Sequence, residues 1–110
     1  MIKHSLLEIF DWRHTLDDLS YLENVLINSC KEMKATILKI SSHKFDPQGI
    51  TIVILLAESH ISLHSFPEKN YCAVDCFTCG DMEPIVGINF ILKELNLKDF
   101  KIKEIIRGIK

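Results

Sequence analysis

This 110-residue chain has no run of about 18 apolar residues, so no segment reads as a membrane-spanning helix. It also has little net charge. Thirteen Lys and Arg against fifteen Asp and Glu leave −2, which provides no electrostatic drive toward a nucleic-acid backbone or an anionic membrane. The basic residues are scattered, and the mild cluster from Lys98 to Lys110 reads as solvated surface. The N-terminus, Met1-Ile2-Lys3-His4, lacks the apolar core and small-residue cleavage site of a secretory signal, so a cytoplasmic protein is expected. In that compartment Cys30, Cys72, Cys76 and Cys79 are expected as thiols rather than disulfides. The chain shows no internal repeat and no low-complexity segment.

What remains is an ordinary globular composition, with 47% apolar and 25% charged residues. The length suits one domain, residues 1–110. A chain this short buries a modest core and often gains stability by oligomerising.

Leu6 to Phe10 reads as a first strand. Thr15 followed by Asp18 reads as a helix start, and Leu19, Leu22, Leu26, Cys30 and Met33 recur at helical spacing, predicting an amphipathic helix over 16–33. Thr36 to Ile40 is a second strand. His43 to Gly49 is a loop, because Pro47 and Gly49 punctuate it. Thr51 to Ala57 is continuously apolar, as in a strand covered on both faces or central in its sheet. Ile61 to Phe66 and Cys72 to Thr78 give two more strands. Pro84 suits the first turn of a second helix, with Ile85, Ile88, Leu92 and Leu95 on its buried side, and Lys101 to Ile106 is a last strand. The order β-α-β-β-β-β-α-β predicts an α+β two-layer sandwich: a mainly antiparallel sheet with two helices on one face.

The chemistry is concentrated in Glu58-Ser59-His60-Ile61-Ser62-Leu63-His64-Ser65-Phe66-Pro67-Glu68, followed by Tyr71-Cys72-Ala73-Val74-Asp75-Cys76-Phe77-Thr78-Cys79-Gly80. A serine after a carboxylate, two histidines and three cysteines fall next to the most apolar strand, a density that packing alone does not explain. Cys72, Cys76, Cys79, His60 and His64 are all possible metal ligands. Alternation along a strand puts Cys72 and Cys76 on one face and Cys79 on the other, so Cys72 and Cys76 read as core and no metal site is expected.

These two stretches resemble the short prokaryotic S-adenosylmethionine decarboxylases. That family shows ESH-x-x-x-H-[ST]-aromatic-P-E, then Y-x-A-x-D-x-F-T-C-G, and the match runs without gaps from about His43 to Gly80. The resemblance implies a proenzyme in which the Ser59 hydroxyl attacks the Glu58 carbonyl and β-elimination cuts the chain. Residues 1–58 become a β chain. Residues 59–110 become an α chain that begins with a pyruvoyl group made from Ser59. Serine suits this because its oxygen serves as nucleophile and then as leaving group. The ketone accepts the substrate amine as a Schiff base and acts as an electron sink, with no metal needed.

The resemblance further implies roles for individual residues. His64 takes the proton from Ser59 Cα during processing, since an imidazole titrates near neutral pH. His60 simply follows Ser59 at the start of the α chain. Cys79 is the acid that reprotonates the substrate carbon once CO2 has left. Thr51 stands where relatives often carry a serine that assists processing, and its extra methyl restricts the hydroxyl. Phe45 matches an aromatic that stacks on adenine. Phe66 stands where Trp or Tyr is usual, and an aromatic face also suits a sulfonium. Glu68 suits ribose hydroxyls, and Glu8 the aminoacid portion of the substrate. Core packing for Phe66 and solvation for Glu8 are the alternatives. A homodimer of processed protomers, (αβ)2, is implied, with active sites near the dimer contact. Two other readings stay open: a decarboxylase of arginine or ornithine that keeps Ser59, His64 and Cys79, and an unprocessed regulatory subunit.

Overall fold

A computed structural model describes residues 1–110. Six strands form one antiparallel sheet in the order β2-β3-β4-β5-β1-β6. They are β1 (Ile2–Ile9), β2 (Ile37–Lys44), β3 (Ile50–Leu56), β4 (Ser59–Phe66), β5 (Tyr71–Cys79) and β6 (Phe100–Arg107). Two helices, α1 (Leu19–Glu32) and α2 (Pro84–Glu94), pack against each other and cover one face of the sheet. This is the α+β sandwich that the element order predicts. No helix is long and apolar enough to cross a membrane.

Alternation decides which side chains reach the core. On β5, Cys72, Val74, Cys76 and Thr78 are buried under the helices, whereas Tyr71, Ala73, Asp75, Phe77 and Cys79 point to the other face. The same rule buries Leu7 and Ile9 on β1, Ile52 and Ile54 on β3, and Ile61 and Leu63 on β4. Each such aliphatic side chain contributes about 1.5–3 kcal/mol when fully buried. Gly87 of α2 lets the two helices approach, since a Cβ there would lie 2.8 Å from Met33 Sδ.

Three local expectations are corrected. The helix begins three residues later than Thr15 suggests. Thr15 lies in a short 3-10 turn, His14–Leu16, and Asp18 is the cap, accepting a hydrogen bond from the Tyr21 amide at 3.1 Å. His43 and Lys44 belong to β2 rather than to the loop, because they pair with Thr51 and Ile50 of β3. β3 is neither central nor covered on both faces. It is second from the edge, and on its outer side Val53 and Leu55 are 39% and 50% exposed.

Two register facts position the site. Leu56 pairs with Ser59 across a two-residue turn made of Ala57 and Glu58. At the far end of the same two strands Thr51 pairs with His64.

Candidate active site

Glu58 sits at the tip of the β3–β4 turn with φ of 61°, the left-handed region that a residue with a Cβ enters at a cost of about 1–2 kcal/mol. Local strain of this kind gathers at functional sites. The next residue, Ser59, is buried, and its Oγ has no hydrogen-bond partner. A buried hydroxyl left unpaired costs about 1–3 kcal/mol. Cys79 ends the neighbouring strand, half-buried on the outer face. Its Sγ lies 3.3 Å from Glu58 Oε2 and 3.7 Å from the Glu58 carbonyl oxygen. A free hydroxyl, a strained carbonyl residue and a thiol therefore meet at one peptide bond.

The other expected residues gather elsewhere. His64 is exposed on the outer face, and its Nδ1 lies 3.2 Å from Thr51 Oγ1. Thr51, Phe45, Phe66 and Glu68 line one hollow of about 270 Å3 together with Gln48, Gly49 and Ser65. Gly49 holds φ of 104° there, which only glycine adopts freely. A larger groove of about 810 Å3 crosses the outer face and brings His64 alongside Glu8, Ser62 and Asp75, with Lys101 and Lys103 on its flank. Glu8 is not a solvated carboxylate. It is partly buried and accepts a hydrogen bond from the Tyr71 hydroxyl. Burial, then that bond to Glu8, push the Tyr71 phenol up to about 12. Phe66 is exposed rather than packed in the core, and its ring stacks at 6.1 Å on Tyr71.

Within one chain, then, Ser59 and Cys79 occupy one end of the sheet. Thr51, His64, Phe45, Phe66 and Glu68 occupy the other. Five residues of strand separate Ser59 from His64, about 16 Å at the usual rise. That is well beyond hydrogen-bond reach.

One cluster was not legible in the sequence. Asp75, at the centre of the outer face, receives three donors. Ser62 donates to Oδ1, while His4 Nε2 at 2.6 Å and His60 Nε2 at 3.1 Å share Oδ2. Burial raises the Asp75 carboxyl, but the bonds from Ser62, His4 and His60 together outweigh it and hold the group below its ordinary value. The ligand atoms of His4, His60 and Asp75 lie within 4.8 Å of one another, close enough to suggest a metal. The tautomer of His4 opposes that. Arg107, which can only donate, lies 3.1 Å from His4 Nδ1, so the ring proton sits on Nε2 and no lone pair is left there. Cys72 and Cys76 lie under the helices and Cys79 on the outer face, as alternation predicts. Burial pushes Cys72 well above the usual thiol range and Cys76 up to about 12.

The chain is also similar to known proteins. The family model described as S-adenosylmethionine decarboxylase matches residues 3–108. A Bacillus cereus protein named S-adenosylmethionine decarboxylase proenzyme 2 is 40% identical over 109 residues, spanning 97% of this chain and 89% of its own length. A Prochlorococcus marinus S-adenosylmethionine decarboxylase proenzyme is 42% identical over 103 residues, 92% of this chain and 82% of its own. The crystal structure of the adenosylmethionine decarboxylase from Aquifex aeolicus superposes with a TM-score of 0.90 at 29% identity, covering 100% of this chain and 92% of that one. A Trypanosoma brucei AdoMetDC monomer shares the fold alone, with a TM-score of 0.60 at 14% identity over 44% of its length. The fold and the site thus define a small α+β protein of the decarboxylase proenzyme type. The chain belongs to the S-adenosylmethionine decarboxylase family, in its short bacterial form.

Proposed function

We propose that this chain cuts itself between Glu58 and Ser59 and then decarboxylates S-adenosylmethionine, supplying the aminopropyl donor for spermidine synthesis. The observation that carries the reading is the peptide bond itself. It joins a strained Glu58 to a buried, unpaired Ser59 hydroxyl, with Cys79 Sγ 3.7 Å from the carbonyl that must be attacked. The Ser59 oxygen adds to that carbonyl and displaces the amide nitrogen, leaving an ester. Loss of the Ser59 α-proton expels the Glu58 carboxylate and leaves an enamine at residue 59, which water hydrolyses to a ketone with release of ammonia. The β chain is then 1–58 and the α chain 59–110.

The unpaired Ser59 position fits a pyruvoyl group, because a ketone there needs no donor that the serine was using. When formed, the group supplies an amine-binding carbonyl and an electron sink. The protein's own residues do the rest. Cys79 holds a proton at the reacting end, Phe45 and Phe66 offer flat faces for the adenine and the sulfonium, Glu68 takes ribose hydroxyls, and Glu8, fixed by Tyr71, faces the aminoacid portion.

The split between the two ends of the sheet is resolved by a second copy. The active unit is a homodimer, (αβ)2, whose outer faces meet about a two-fold axis. Such an axis exchanges the ends of β4, so that Thr51 and His64 of the partner subunit arrive at Ser59 and Cys79 of the first. The exposed Val53 and Leu55 between the two ends would then be buried. The unit is a soluble cytoplasmic enzyme.

A panel of carboxyl-labelled amino acids tests the substrate. Labelled CO2 should be released from S-adenosylmethionine. Release from arginine or ornithine alone would assign the chain to those substrates, and no release from any would favour a regulatory subunit.

A further inference from the structure

After the cut, residue 59 is a chain end. Before it, the peptide to Glu58 and the β3–β4 turn hold Ser59 from one side and His60 from the other. Afterwards the only covalent tether is the His60 amide, and rotation about that link decides which face of the new ketone Cys79 meets. Whatever holds His60 therefore holds the ketone.

His60 is held unusually well for a partly exposed strand residue. It pairs with Phe77 across β4 and β5. Its ring stacks flat on the Phe77 ring, with centroids 5.8 Å apart and an interplanar angle of 1°. Its Nε2 donates to Asp75 at 3.1 Å. Asp75 is in turn fixed by Ser62 from the same strand as His60 and by His4 from β1, and His4 is oriented by Arg107 from β6. Four adjacent strands converge on one side chain, two residues along the same face from Phe77 and four from Cys79.

We infer that Asp75 is a positioning residue that acts through His60, clamping the freed N-terminal end of the α chain so that the ketone made from Ser59 keeps its orientation toward Cys79. This rests on the self-cleavage reading above. The clamp is needed after the cut and not for it, because the intact turn already fixes residue 59. A loosened ketone admits misplaced protonation. If the proton reaches the carbon of residue 59 instead of the substrate carbon, hydrolysis with one water releases the substrate as an aldehyde. Its amino group stays on residue 59, and that chain is dead.

The test compares wild type, Asp75→Asn, His60→Phe and His60→Gln. His60→Phe keeps a ring for Phe77 but loses the donor, whereas His60→Gln keeps a donor. Asp75→Asn and His60→Phe should cleave fully into two fragments. Their kcat should fall at least about tenfold with KM within about twofold, while His60→Gln recovers part of the loss. During turnover their α chains should gain a free amino terminus, visible by Edman sequencing, faster than wild type. A readout independent of activity is hydrogen exchange at the amides of residues 60–62. Asp75→Asn should speed it by a clearly larger factor in the cleaved protein than in the uncleavable Ser59→Ala background, where only the general loss of stability acts.

Equal kcat in all four proteins would overturn the inference, as would an equal effect of Asp75→Asn on exchange in the cleaved and uncleavable proteins. So would loss of cleavage in Asp75→Asn and His60→Phe. A wild-type chain that never cleaves would instead overturn the proposed function itself.

Discussion

Ser59 and His64 lie on one strand at an odd separation of five residues, so their side chains leave β4 on opposite faces: Ser59 is buried and His64 is exposed. No side-chain motion within one chain brings an imidazole from the Thr51 end to the Glu58 end. If His64 acts on Ser59, it acts across a two-fold axis. Co-expressing Ser59→Ala with His64→Ala should therefore restore cleavage in mixed dimers. One of their two sites then joins an intact Ser59 to an intact His64. Each variant alone should stay uncut. No cleavage in verified mixed dimers would show that the two residues do not serve a shared site.

Thr51 orients that imidazole through the 3.2 Å contact to Nδ1. Removing the hydroxyl while keeping the β-branched shape should slow cleavage. Thr51→Val should form the two fragments about tenfold more slowly than wild type, and Thr51→Ser at least as fast, because serine has freer rotamers. Time courses on denaturing gels measure both.

The four thiols differ in access. Cys30, Cys72 and Cys76 are buried, and burial raises their thiols, Cys30 to about 11 and Cys76 to about 12. Cys79 is the half-exposed one. Iodoacetamide at pH 8 should label Cys79 alone in the folded, cleaved protein and all four after unfolding. Loss of decarboxylation should track the Cys79 adduct. Cys79→Ala should lower kcat at least about a hundredfold, the usual scale for a lost proton donor.

Asp75 should make stability depend on pH on the acid side. Its carboxyl lies below the ordinary value in the fold, so its contribution is complete above the unfolded value of about 3.9 and is lost as pH falls through the folded one. In a Ser59→Ala background, Asp75→Asn should cost about 1–2 kcal/mol at pH 7, the scale of hydrogen bonds to a charged acceptor. The gap in urea midpoints should close below pH 4. A gap that stays constant down to pH 3 would contradict this.

Much of this was legible along the chain because it depends on period and local chemistry. Alternation put Cys72 and Cys76 in the core and Cys79 outside, and the apolar run of β3 marked a strand. The order of residues also singled out the Glu58–Ser59 step, which the fold places at the tip of the β3–β4 turn. What could not be read depends on pairing between distant segments. His4 and Asp75 are 71 positions apart, and only the β1–β5 register joins them. Tyr71 and Glu8 meet in the same way across 63 positions. The separation of Ser59 from His64 was hidden for the opposite reason. Closeness in sequence suggests closeness in space, yet a strand is the most extended route between two residues. Thr15 misled because its hydroxyl looks like a cap while the chain first makes a 3-10 turn.

Self-cleavage is the central claim, and intact mass is its most direct measurement. Purified wild-type protein should give two fragments, 1–58 and 59–110, whose masses sum to the full chain plus one water minus one ammonia, with the second blocked to Edman degradation. Ser59→Ala should give one uncut chain. A wild-type protein that stays at the full-length mass under the same conditions would contradict the account.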